Sequence, residues 1–385
     1  MLGSVCESDT IIENLSNCND VLSTINCLKK CGAEINITND KCIIKSSELV
    51  DPEIDLNCGN SGTTARLLIG LLSGQGINAN FIGDKSLSNR PMDRILKPLS
   101  DMKLKFKSNN MTLPIRIFKS QLKSINISLN VPSAQVKSSL ILAGLSLERK
   151  NVIKDSFSTR DHTEKIIEYL KFKSNDPNFL KGFNYHVPGD ISNAAFLIAA
   201  GLILKKSKFH FKHILFNETR MGFIDSLIEM GADIEIQNIV EKYNEKTCDI
   251  IVSYSNNLQG IIIDSHRVVK MIDEIPMFSI IACFANGKTV IKGVNELRYK
   301  ESDRVQAIYD NLSNMGADIF LQDDEIIING GNKLYNTTIN HFDDHRILMA
   351  FEILSLYINK KMPKYNSLVD VSFPDFYKHL SQIIL

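Results

Sequence analysis

The chain has 385 residues, enough for two domains of ordinary size, and 44% of them are hydrophobic against 23% charged. Lys plus Arg equals Asp plus Glu at 44 each, which excludes a global field drawing the chain to nucleic acid or a membrane surface. No apolar run of about 18 residues and no signal-peptide pattern occurs, so a cytoplasmic address is expected, and eight cysteines without a CxxC pair read as buried reduced thiols rather than metal ligands.

Taken in chain order, one unit recurs: a hairpin-like pair of short strands, a polar junction, an amphipathic helix ending in Leu or Met near a Gly, then another strand. Residues 9–37 carry it first, with Val21, Ile25 and Leu28 as the helical stripe and Gly32 as the stop. Residues 78–107 repeat it with Ile95, Leu99 and Met102, residues 150–173 with Ile166 and Leu170, and residues 206–236 with Phe223, Leu227, Met230 and Gly231. In the fifth copy, residues 287–321, Thr289 to Ile291 read as a strand, Lys292 and Gly293 as a turn, and Val305, Ile308, Leu312 and Met315 as a helix stopped by Gly316. Ser302 or Asp303 is its N-cap. Residues 361–385 are the sixth copy, whose helix closes the chain.

Between these copies lie helices apolar nearly all round, at 60–73, 133–147, 190–204, 273–285 and 343–357. A helix without a polar face belongs inside a domain, so the strands form sheets covered on one face by the amphipathic helices. Six hairpin-and-helix halves call for six buried helices, and only five are present. Residues 1–8, MLGSVCES, resemble the tail of one, so the chain is expected to begin inside its first unit. Three units per domain put the domains at 1–187 and 188–385, hinged at His186, Val187 and Pro188, with 176–184 as the third unit's terminal turn region. A cleft between two such domains is where ligands gather.

Lysines outnumber arginines 33 to 11, so an Arg at a polar junction is there for its planar fork. Arg66, Arg90, Arg160, Arg304 and Arg346 stand at such junctions, and their forks suit a substrate carrying phosphate and carboxylate together. Gly62, amid Asn60, Ser61, Thr63 and Thr64, opens a helix whose free N–H groups favour an anion, although a capped helix start explains the same residues. Ser133, before Ala134 and Gln135, is either a cap or a ligand donor. His162 and His345 each read more readily as satisfied structural groups than as catalysts. Asp273 and Glu274 start a buried helix, where a carboxylate either caps it or acts as acid or base. In LRYKESDR, Lys300, Glu301 and Arg304 cluster at a strand-to-helix junction: a salt-bridged helix start or an anion site.

Together GNSGTTARLL, NRPM, VPSAQVKSSLILAGL, TRDHTE, GDISNAA, DEIPM, LRYKESDR, DDHRILMAF and SFPDF resemble, in order and over essentially the whole chain, the EPSP synthase family. The resemblance implies an α/β enolpyruvyl transferase fold of two domains, each of three βαβαββ units with buried central helices, the first incomplete here. It implies transfer of the enolpyruvyl group of phosphoenolpyruvate to the 5-hydroxyl of shikimate 3-phosphate by a monomer, without metal or organic cofactor. By the same resemblance Ser133, Ala134, Gln135, Arg160, Asp273 and Lys300 would contact shikimate 3-phosphate. Gly62, Arg90, Gln135, Arg304 and Arg346 would hold phosphoenolpyruvate, with Asp273 as base and Glu301 as acid.

Two departures stand out. The family's PGDKS segment and a nearby Arg, before the first buried helix, are missing from this sequence, from which impaired activity is expected. Some members also carry a Lys where this chain has Val371. Two other readings compete: a non-catalytic paralogue that binds shikimate 3-phosphate, and a UDP-N-acetylglucosamine enolpyruvyl transferase. The second is opposed by TRDHTE and by the lack of a cysteine between Cys58 and Cys248.

Overall fold

The computed structural model describes residues 1–38, 41–173 and 180–383. The chain divides into two compact units, Met1–Val187 and Pro188–Leu385. All eight cysteines are buried free thiols. Among the described residues no helix is long and apolar enough to cross a membrane.

The first unit holds two four-stranded sheets. In one, the order is Asn184–His186, Thr10–Glu13, Lys41–Ile44, Ile35–Thr38; in the other it is Leu56–Asn57, Ala79–Ile82, Thr112–Phe118, Lys105–Asn109. Each has one parallel pair at its edge and two antiparallel pairs. The third repeat is reduced to the parallel strands Asn126–Ser128 and Val152–Lys154. Part of the turn region expected at 176–184 lies outside the described residues.

The second unit repeats the four-stranded order in Ile262–Ile263, Lys288–Lys292, Glu325–Asn329 and Asp318–Gln322. Its other sheet has three strands, Lys208–Leu215, Glu245–Ser253 and Ile234–Lys242, and a single bridge from Gly189 to Ile214 stands where the fourth would be. The hairpin expected at 361–385 does not form: among the described residues no strand follows Asn329, and Ser367–Val371 is a 3₁₀ turn. The stretch KKMPKYN has no period-2 alternation, and Pro363 offers no N–H to a ladder. At the other end, Leu2–Val5 is a 3₁₀ turn with Gly3 and Ser4 buried.

All five helices expected to be buried are present: Gly62–Gly74, Ala134–Ala143, Ile191–Ile203, Ile275–Ala282 and His345–Asn359. Ser61, Ser133, Asp190 and Asp344 cap four of them by accepting backbone N–H bonds, which satisfies donors that the first turn of a helix leaves unpaired. Gly70 lets two of these helices close together, because a Cβ there would sit 2.2 Å from the Ser139 carbonyl oxygen. The amphipathic helices Asn19–Lys30, Gly222–Glu229 and Arg304–Asn314 stop at Gly32, Gly231 and Gly316, with φ of +88°, +87° and +87°. In the second repeat Lys103 takes that left-handed place instead, at φ +76°.

Candidate active site

In the first unit, two helix starts and one loop bring polar groups together. Gly62 begins its helix one residue after the Ser61 cap, and a Cβ there would lie 2.8 Å from Arg66 Nη1 and 3.5 Å from Arg90 Nη1. Two guanidinium groups therefore pass close to a backbone whose N–H groups start a helix. Arg66 Nη1 donates to Gln135 Oε1 at 2.7 Å, and Gln135 Nε2 donates to Thr63 Oγ1 at 2.8 Å, so the two buried helices are cross-linked at their N-terminal ends. Arg90 is buried and donates to the Asn60 carbonyl at 3.3 Å, Asn60 Oδ1 at 2.7 Å and Ser86 Oγ at 3.2 Å.

Ser133 accepts from the Val136 N–H at 3.4 Å, so its hydroxyl serves as the cap, and Ala134 is the first helical residue. Arg160 is half-buried, two residues before the helix His162–Lys173. The first unit thus gathers Gly62, Arg90 and Gln135 into one cluster. Arg66, flagged in the sequence only as a junction arginine, is its hub.

In the second unit the geometry is tighter. Asp273 Oδ1 lies 3.4 Å from Lys300 Nζ, 3.3 Å from Arg304 Nη1 and 3.9 Å from Arg346 Nε. Arg304 is 1% exposed, and besides Asp273 it binds Glu301 Oε2 through Nη2 at 2.5 Å and Asp344 through Nε at 2.8 Å. Burial works against its charge, but Asp344, Glu301 and Asp273 outweigh it and hold the guanidinium above the usual arginine range. Arg346 Nη1 is buried and makes no hydrogen bond. All five residues expected here, Asp273, Lys300, Glu301, Arg304 and Arg346, meet within this one unit.

Of the two cap candidates Asp303 is the one used, accepting from the Gln306 N–H at 3.0 Å. Of Asp344 the sequence showed only its place at the start of the last buried helix, not its pairing with Arg304. Asp344 caps His345–Asn359 by accepting from the Arg346 N–H at 2.9 Å, accepts from Ser302 Oγ at 3.1 Å, and pairs with Arg304. Its signal was the second Asp of DDHR, one residue before a buried helix. His345 is buried, and desolvation, helped by Arg346, lowers its pKa to about 4, so its imidazole is neutral at pH 7.

The second unit therefore offers two carboxylates in different surroundings beside three cations, and the first a glycine-flanked pair of arginines. That is equipment for an anionic substrate and a proton transfer.

The family profile described as EPSP synthase (3-phosphoshikimate 1-carboxyvinyltransferase) matches residues 1–380. A 3-phosphoshikimate 1-carboxyvinyltransferase of Caldicellulosiruptor saccharolyticus is 42% identical, over 99% of this chain and 92% of its own length. One from Persephonella marina is 39% identical, over 100% and 93%. Among solved structures, EPSP synthase from Acinetobacter baumannii superposes with a TM-score of 0.85 at 35% identity, covering 100% of this chain and 92% of that one. The enolpyruvyl transferase NikO from Streptomyces tendae shares the fold, with a TM-score of 0.74 at 14% identity over 99% of this chain and 90% of that one.

Proposed function

The chain belongs to the EPSP synthase family, the 3-phosphoshikimate 1-carboxyvinyltransferases, and we propose that two carboxylates of its second unit, Asp273 and Glu301, move the protons of the reaction. That reaction transfers the enolpyruvyl group of phosphoenolpyruvate to the 5-hydroxyl of shikimate 3-phosphate and releases phosphate, a step of the shikimate pathway.

The 5-hydroxyl oxygen adds to C2 of phosphoenolpyruvate while its proton passes to Asp273. The methylene carbon C3 takes a proton from Glu301, which gives a tetrahedral intermediate. Loss of a C3 proton back to Glu301 then restores the double bond as the C2–O bond to phosphate breaks, and the proton held by Asp273 leaves with the phosphate. Atoms and charge balance without a further reactant.

Arg304 sets a condition on this sequence. It binds Glu301 at 2.5 Å, an arrangement that favours the ionised carboxylate, whereas a proton donor must first be protonated. The carboxylate or phosphate of phosphoenolpyruvate, competing for Arg304, frees Glu301 to hold a proton. Arg346, with its buried Nη1 making no hydrogen bond, and Arg90, Gln135 and Gly62 of the first unit are the further contacts assigned to that substrate. Ser133, Ala134, Gln135, Arg160, Asp273 and Lys300 are assigned to shikimate 3-phosphate. Much of the acceleration comes from holding two mutually repelling anions in reacting geometry.

The observation that carries the assignment is the convergence of Lys300, Arg304 and Arg346 on one oxygen of Asp273. Phosphate release with both substrates tests it, alongside calorimetric binding of each. Asp273→Asn and Glu301→Gln should each lower kcat by about 100-fold or more while shikimate 3-phosphate still binds. Turnover within about twofold of the parent chain in either variant would remove that residue from the proton chemistry.

A further inference from the structure

We propose that Lys137 is a positioning residue for the phosphorylated acceptor: its buried ammonium ties the loop carrying Thr159 and Arg160 to the helix whose N-terminal end carries Ser133 and Gln135. The inference rests on the assignment of Ser133, Gln135 and Arg160 to shikimate 3-phosphate.

Lys137 lies on the helix Ala134–Ala143, which is otherwise nearly all apolar or small, and is 5% exposed. A lysine has three N–H donors, and all are used: Asp155 Oδ2 at 2.9 Å, Glu164 Oε1 at 2.7 Å and the Thr159 carbonyl at 3.2 Å. Asp155 in turn organises the loop. Its Oδ2 accepts from the Thr159 N–H at 3.0 Å and hydroxyl at 2.7 Å, and its Oδ1 accepts from the Phe157 N–H at 3.0 Å. One residue along the helix, Ser138 Oγ lies 2.7 Å from Thr163 Oγ1. Residues 155–161 are irregular and include Ser158 at φ +53°, so side chains do here what a strand ladder does elsewhere.

Burial disfavours the Lys137 charge, but Glu164 and Asp155 more than compensate and raise its pKa above the ordinary lysine value. Asp155 is shifted the opposite way: burial raises it, while Thr159 and Lys137 hold it below the usual carboxylate range. Buried ion clusters of this kind are commonly no more stabilising than apolar side chains of the same volume. What the cluster contributes here is geometry: Thr159, itself 4% exposed, is bound through its N–H, carbonyl and hydroxyl, which fixes the chain direction entering Arg160. Misplacement of a substrate-binding group by about 1 Å is enough to cost up to two orders of magnitude.

The test is calorimetric titration of shikimate 3-phosphate into the full chain, with KM for phosphoenolpyruvate and Tm measured beside it. Lys137→Met removes the ammonium and keeps the volume; Lys137→Met with Glu164→Gln also restores the net charge of the cluster. Positioning predicts a Kd for shikimate 3-phosphate raised about tenfold or more in both, with KM for phosphoenolpyruvate within about twofold. Asp155→Asn should do the same and serves if the Lys137 variants do not fold. Recovery of affinity in the double variant would show a through-space charge effect and overturn positioning. Lower Tm with an unchanged Kd would reduce Lys137 to a structural role and overturn it too. Arg160→Ala separates the two ideas: weaker binding there with none in Lys137→Met rejects this inference alone, and no effect of Arg160→Ala rejects the substrate assignment and the inference together.

Discussion

Arg304 and Asp344 share two hydrogen bonds, Nε to Oδ2 at 2.8 Å and Nη2 to Oδ1 at 3.3 Å, and both side chains are almost wholly buried. The same carboxylate caps the helix that carries Arg346. One aspartate therefore orients two arginines assigned to the enolpyruvyl donor.

Two substitutions at this position should separate pairing from capping. Asp344→Ala leaves a buried guanidinium short of a partner and removes the cap, a loss of about 3–5 kcal/mol in unfolding free energy. Asp344→Asn caps nearly as well but gives up the charge, so it should fold with a smaller loss and show a KM for phosphoenolpyruvate raised about tenfold. Denaturant unfolding and steady-state kinetics check the pair; equal stability loss in both would mean the ion pair, not the cap, is what matters, and a loss confined to Asp344→Ala would mean the reverse.

Gly62→Ala should act on binding rather than folding. The new methyl would sit 2.8 Å from Arg66 Nη1, the flexible end of a long side chain, so Arg66 yields at little cost. Its movement breaks the 2.7 Å bond to Gln135 and crowds Arg90. The expected result is a KM for phosphoenolpyruvate raised between about 5- and 100-fold, with stability changed by less than about 1 kcal/mol. An unchanged KM would take Gly62 out of the binding site.

Gly70→Ala reverses a familiar rule. Inside an exposed helix the change stabilises by about 1 kcal/mol. Here the Cβ would meet the Ser139 carbonyl oxygen at 2.2 Å and the Ser139 carbonyl carbon at 2.8 Å, backbone atoms that cannot rotate away. Overpacking should win and lower stability by about 2 kcal/mol or more. A Tm equal to or above that of the parent would show that the helices separate freely.

Glu352 supplies a pH dependence. It is buried, and desolvation raises its pKa to about 7 from an ordinary 4.5, with only a partial offset from Tyr377. The folded state therefore holds a proton that the unfolded state releases. This contribution is fully present below pH 4.5 and is lost as pH rises to about 7. Glu352→Gln should match the parent near pH 4 and exceed it at pH 8 by on the order of 2 kcal/mol. His345, depressed to about 4, has the opposite sign, costing stability as pH falls from 6.5 toward 4, so the parent profile alone looks flat where the two overlap. Tm measured against pH for both proteins checks the difference, and parallel curves would rule Glu352 out.

Sequence periodicity reached the five buried helices, the glycine stops and the Asp303 cap because each depends on residues within about a turn of one another, and their order carried the family. A helix apolar on every face has one place to go. Other features were beyond that reach. Lys137 finds Asp155 and Glu164, and Arg304 finds Asp344, only when distant helices pack, since a cation's partner is chosen by where the chain folds back and not by spacing. The hairpin expected at 361–385 failed for a related reason: a strand exists only if a neighbouring edge accepts its hydrogen bonds, and that pairing is a tertiary event. By itself the sequence determined which segments are buried and which polar residues stand at the starts of helices. Tertiary packing decided which charges meet, and so which oxygen of which aspartate stands among three cations.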